Sequence, residues 1–171
     1  MANNEDAIIE KIRDVARRLP KFPDGRINYH HADTALVLTV FVQYNDKILL
    51  LKRSDKVSTY KGKWNTVTGY LDEPRPLLEK IHAELQEELG ITEDIIESYH
   101  IGEFFSFTDP TVQKTWIVHP AIVTLNRLPR ITLDWEHTDY VWIDPEDMTQ
   151  YDTVPKLSLS LRQDLLKGKK D

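Results

Sequence analysis

The spacing of apolar positions changes along the chain, and each change marks an element. Between residues 5 and 19, Ile8, Ile9, Ile12, Val15, Ala16 and Leu19 recur at helical intervals, which predicts an amphipathic helix. Pro20 and the run Pro23-Asp24-Gly25 end it and form a short linker. From Thr34 to Tyr44, and again from Ile48 to Leu51, β-branched and aromatic residues dominate, with Asn45-Asp46 between them. That pattern predicts a β-hairpin. Further strands are expected near 64–68, 98–107, 115–125 and 139–143. A helix start is expected at Pro145-Glu146-Asp147, and a final helix from Val154 to Lys167. Strands interleaved with helices predict an α/β protein, an α/β/α sandwich around a mixed sheet. The chain divides into an N-terminal helix and linker, residues 1–25, and a main domain, residues 26–171.

One helix carries chemistry in its polar positions. In the run from Gly69 to Ile91, GYLDEPRPLLEKIHAELQEELGI, the apolar residues Leu78, Ile81, Leu85 and Leu89 form a stripe. Glu84, Glu87 and Glu88 border it within an arc of about 100°. Like charges three and four residues apart destabilise a helix by a few tenths of a kcal/mol each. Such a cluster is either a solvated acidic face or a site for hard divalent cations, which take oxygen ligands. Context favours the cation. A loop and short strand from Tyr60 to Thr68 feed Gly69, a stiff Asp72-Glu73-Pro74-Arg75-Pro76 segment follows, and Gly90 supplies a helix stop.

Composition sets the limits. With 171 residues, 40% hydrophobic and 29% charged, the chain can bury a good core. It has no cysteine, so disulfides, thiolate metal sites and thiol nucleophiles are excluded. The acidic N-terminus lacks a signal-peptide core, and no apolar stretch approaches the length of a membrane span. A cytoplasmic location is expected. The net charge of −6 argues against a nucleic-acid scaffold bound through a broad basic face. It is compatible with an anionic small molecule reached through a bound cation.

The run from Gly69 resembles the signature of the Nudix hydrolases. That signature reads Gly, five residues, Glu, seven residues, Arg-Glu-aliphatic-any-Glu-Glu-any-Gly-aliphatic. Gly69, Glu84, Leu85, Glu87, Glu88, Gly90 and Ile91 fall at its spacing. The segments 56–64 and 135–148 also look like the family, so the resemblance covers roughly residues 34 to 168. Two positions depart from it: Arg75 stands where the signature has its first Glu, and Ala83 where it has Arg. In the family that Arg pairs with the box carboxylates. Charge balance suggests that Arg75 re-supplies the positive charge here, with Asp72, Glu73 or Glu79 standing in for the acid.

The resemblance implies the Nudix-type α/β/α sandwich and hydrolysis of a diphosphate linkage in a nucleoside diphosphate or triphosphate derivative. It implies Mg²⁺ or Mn²⁺ as cofactor. Glu87 and Glu88 are the leading metal ligands, with Gly69 at the start of the box. Glu84 is a ligand or the base that orients the attacking water, and Glu136 is a second candidate base. Lys52 and Arg53 are candidates for phosphate contact, and Phe105, with Phe107 and Trp116, for a base-stacking face. A second function class stays open, a nucleotide-binding or sensor module that keeps the fold and turns over poorly. The group attached to the diphosphate is unspecified, and a homodimer is left open.

Overall fold

The computed structural model describes residues 2–162. The first helix, α1, spans Ala2–Arg18 and ends ahead of Pro20. Strands β1 (Thr34–Tyr44) and β2 (Lys47–Arg53) follow. Their turn places Asn45 at φ 52° and Asp46 at φ 66°, the left-handed pair that a two-residue hairpin needs. Residues 64–68 form two strands, β3 (Trp64–Asn65) and β4 (Val67–Tyr70). β3 pairs with β2 and β4 with β1, so Thr66 marks a change of partner, and its hydroxyl donates to the Val40 carbonyl at 2.8 Å.

Helix α2 is Leu77–Leu89. It stops where expected: Gly90 adopts φ 71°, with Gly90 N–H bonded to the Gln86 carbonyl at 3.0 Å and Ile91 N–H to Leu85 at 3.1 Å. The strand expected over 98–107 is interrupted. β5 (Ile96–Ile101) and β6 (Phe105–Asp109) both pair with β7 (Lys114–Leu125) and are separated by residues 102–104. The break faces Pro120, which has no N–H to continue the ladder. β8 (His137–Ile143), a 3₁₀ turn at Pro145–Gln150 and α3 (Leu157–Arg162) are the last elements among the described residues. The remainder of the helix predicted to reach Lys167 lies outside the described residues.

The sheet is mixed, β1 running parallel to β7 and antiparallel to β2 and β4. β1 is buried on both faces, which is why it reads as an almost unbroken apolar run. Leu36, Leu38, Val40 and Val42 pack with Ile81, Leu85 and Leu89 of α2 and Ile12 of α1. Phe41, Ile48 and Leu50 face the other way, with Met148, Leu157 and Leu161. The expected α/β/α sandwich is the observed fold. Ile12 of the N-terminal helix is 1% exposed and belongs to the same core as β1 and α2.

Candidate active site

The buried face of α2 consists of Leu77, Ile81, Glu84, Leu85, Glu88 and Leu89. These six positions follow one helical stripe, so two carboxylates occupy places where packing alone calls for apolar side chains. Leu78, expected in the stripe, is exposed, and Leu77 takes its place. The three-acid cluster is split in the same way: Glu84 and Glu88 are buried, whereas Glu87 is exposed on the solvent side of the helix.

Glu84 lies against β4. A Cβ on Gly69 would stand 2.6 Å from the Glu84 Cδ and 2.7 Å from its Oε1, so only glycine admits the carboxylate there. Lys80, one turn earlier on α2, donates to Glu84 Oε1 at 3.1 Å and approaches Asp72 Oδ1 at 3.4 Å. Burial alone would lower the Lys80 pKa, but Glu84 and Asp72 outweigh it and raise it above 10.5. Arg75, expected to supply this charge, does not. It forms no ion pair among the described residues, and its Nε is buried without a hydrogen-bond partner. Lys80 is therefore the cation beside the box, and of the three acids considered, Asp72 is its partner.

Glu88 is 1% exposed, and neither of its carboxylate oxygens has a hydrogen-bond partner. His137 Nε2 is 3.7 Å from Glu88 Oε1, too far for a hydrogen bond. His137 is fixed from its other side, with Nδ1 3.1 Å from Asp134 Oδ1, and burial lowers its pKa, leaving a neutral ring. Burial, reinforced by the Glu84 carboxylate and by Glu136 and Asp134, pushes Glu88 well above the usual carboxylate range.

Glu136 comes to the site from the loop before β8. The loop runs along the end of α2, Thr132 N–H bonding the Leu89 carbonyl at 2.9 Å and Asp134 N–H the Glu88 carbonyl at 3.3 Å. These bonds satisfy carbonyls that the helix end leaves free. The Glu136 carbonyl accepts from Ser54 N–H at 2.8 Å. Burial and the neighbouring Asp134 and Glu84 raise the Glu136 pKa to about 7.

Lys52 and Arg53 separate. A register shift in the β2–β8 pairing falls between them, and Arg53 lines the cleft beside Glu136 while Lys52 does not. Arg53 Nε donates to the Thr59 carbonyl at 3.0 Å, and the charges of Glu136 and Glu88 oppose the effect of its burial. The cleft measures about 290 Å³, near the lower end of ligand-pocket sizes. Its walls include Tyr60, Tyr70, Phe107 and Trp116, with Gly69 and Glu136 on its border and exposed Trp135 beside them. Tyr70 and Trp116 lie 6.4 Å apart at 30°, and Trp116 Nε1 donates to the Tyr60 hydroxyl at 3.1 Å. Phe105 stacks on Phe107 (6.3 Å, 22°) outside the cleft lining.

Sequence reasoning assigned no individual role to Tyr70, Lys80, Asp134 or His137. For Lys80 a signal existed in its i,i+4 spacing to Glu84. For the others, position depends on which loop crosses which strand end.

Residues 31–163 match the family model of the NUDIX domain. The chain belongs to the Nudix hydrolase family. Among curated relatives it is similar to the nucleoside triphosphatase NudI of Escherichia fergusonii, 24% identical over 134 residues, 74% of this chain and 94% of that one. Similar Nudix structures include the MutT protein of Methanosarcina mazei Go1 (TM-score 0.63, 23% identity, 82% of this chain and 99% of that one). The Ap4A hydrolase of C. elegans, solved as a binary complex, gives a TM-score of 0.62 at 19% identity, covering 78% and 98% of the two chains. At these identities the structural likeness speaks for the fold. Within the Nudix fold, Glu84, Glu88 and Gly69 occupy signature positions, so the buried carboxylates of α2 are those of the family's box. By family, the protein is a Nudix pyrophosphohydrolase.

Proposed function

We propose that this enzyme hydrolyses a diphosphate linkage in a nucleoside diphosphate or triphosphate derivative, using Mg²⁺ or Mn²⁺ held at the buried face of α2. One observation carries the reading: Glu88 is a buried carboxylate with both oxygens unpartnered, beside Glu84 and close to Glu136. A buried anion without hydrogen bonds is costly unless a cation joins it. No three His, Asp or Glu side chains among the described residues converge as a ready-made cage. Mg²⁺ needs only one or two carboxylates, water and substrate phosphate completing its shell. Glu88 and Glu84 are the inner ligands, with the Gly69 backbone beside them, and Glu87 on the solvent side of the helix adds only its charge. When bound, such an ion neutralises phosphate charge and lowers the pKa of a bound water.

The remaining roles follow from placement. Glu136, with a pKa of about 7, is suited to accept a proton from the attacking water at neutral pH. Arg53, fixed by the Thr59 carbonyl and facing the cleft beside Glu136, holds phosphate oxygens. The rings of Tyr70, Phe107 and Trp116 stack a base, and Lys52 and Phe105 act outside that contact. The test is a panel of nucleoside diphosphate and triphosphate derivatives with Mg²⁺ or Mn²⁺, scored by phosphate and nucleotide release. Turnover that disappears in Glu88→Gln is expected. Turnover that survives that change unaltered would refute the assignment.

A further inference from the structure

Helix α2 holds Glu84 and Glu88 on one stripe, but only Glu84 has a fixed cation, and that cation is itself anchored. Lys80 is 14% exposed at its side chain and bridges Glu84 at 3.1 Å to Asp72 at 3.4 Å. Asp72 is 8% exposed, and its Oδ2 is 3.6 Å from Arg26 Nη1. The backbone reinforces the link: the Asp72 carbonyl accepts from Ile27 N–H at 2.9 Å, and the Leu71 carbonyl from the Tyr29 hydroxyl at 2.8 Å. The ladder Arg26–Asp72–Lys80–Glu84 thus runs from the segment before β1, through the loop that opens α2, to the carboxylate packed on Gly69. Signature positions 75 and 83, held by Arg75 and Ala83, take no part in it.

We propose that Lys80 is a positioning residue of this active site, holding Glu84 by one oxygen against Gly69 so that the other stays free for the divalent ion, with Asp72 fixing Lys80 in turn. Glu84 could otherwise rotate away, because its only described ion pair is the one to Lys80. Arg26 is 45% exposed and also paired to Asp24, so it contributes less than Asp72. This inference rests on the metal-dependent reading above.

Positioning and simple charge neutralisation predict opposite signs. Removing a positive charge next to a cation site strengthens the field that attracts the ion. Loss of orientation weakens binding instead, by about 10–100-fold for outer partners of metal ligands. The experiment is Mn²⁺ binding by electron paramagnetic resonance, with kcat and KM measured on the same Mg²⁺-loaded preparations, for Lys80→Met, Lys80→Arg, Asp72→Asn and Glu88→Gln. Expected results for Lys80→Met are Mn²⁺ affinity lowered about tenfold or more and kcat reduced with KM nearly constant, and Lys80→Arg restores most of both. Asp72→Asn gives a smaller loss of the same sign, and it decides the matter if Lys80→Met does not fold. Mn²⁺ affinity unchanged or tightened in the two weakening variants overturns the proposal, as does failure of Lys80→Arg to restore it. If Glu88→Gln keeps full Mn²⁺ affinity, the metal-centre reading falls and the proposal with it. If Glu88→Gln loses Mn²⁺ while Lys80→Met does not, only the positioning role falls.

Discussion

Glu84 and Glu88 lie one turn apart on the same helix face, both buried, yet their surroundings are opposites. Glu84 is held by Lys80 and packed on a glycine that makes room for it. Glu88 has a neutral histidine beyond hydrogen-bonding range and no partner for either oxygen. A paired buried carboxylate is a structural part that also faces a ligand. An unpaired one is unstable in the ionised form until something cationic arrives. The difference identifies Glu88 as the residue whose charge the protein leaves for a ligand to satisfy.

The largest test of that contrast is Glu88→Gln. Outer partners of metal ligands are worth about 10–100-fold, so loss of a direct ligand should lower kcat by more than about 100-fold. The same change should raise the melting temperature of the metal-free protein at pH 8. The sign follows from linkage: the folded pKa of Glu88 lies above its ordinary 4.5, so the folded state binds more protons than the unfolded one. Its contribution is favourable at low pH and is lost as pH rises past 4.5 towards the folded value. Calorimetry with and without Mg²⁺ checks this, since the variant should also lose the stabilisation that added metal gives wild type.

Glu136→Gln comes next. A missing base costs about 10²–10⁴-fold in kcat, with less effect on metal binding than Glu88→Gln. In wild type, log kcat should rise with pH as Glu136 ionises and then level off, at or below about 7 because bound metal favours the ionised form, and the variant should flatten that profile. Mg²⁺ affinity, read by calorimetry, should fall as pH is lowered, because the ion must displace the proton that burial favours on its ligand Glu88.

Gly69→Ala acts on Glu84 alone. Its Cβ would meet the carboxylate at 2.6 Å, so Glu84 must shift, and about a tenfold loss of Mn²⁺ affinity is expected with Glu88 untouched. Glu87→Gln should have the smallest effect, a few-fold in KM or metal affinity, because Glu87 is exposed and its charge is screened. An effect as large as that of Glu88→Gln would break the contrast between buried and exposed acids.

Much of the fold was readable because it is local. The Asn45-Asp46 turn, the Gly90 stop and the apolar runs of β1 and β2 each depend on residues adjacent in the chain. The break between β5 and β6 was harder to see, since its cause, Pro120, lies on the opposing strand. The site divides the same way. The helix periodicity placed Glu84, Glu87 and Glu88 within one arc, but not which edge of that arc meets the sheet. A rotation of one residue decides whether Glu87 or Glu88 is buried. Arg75 looked like the replacement charge from its signature position, yet the turn at Pro74 and Pro76 leaves Lys80, one helical turn from Glu84, to take that place.

By itself the sequence determined the family, the alternation of elements and the identity of the acids, because these are carried by spacing along one chain. Tertiary structure alone decided that Glu88 is buried without a partner, that Lys80 and Asp72 secure Glu84, and that Glu136, His137 and Tyr70 gather around them. Burial and charge pairing depend on which loops and strands meet in space, and spacing along the chain carries no such information.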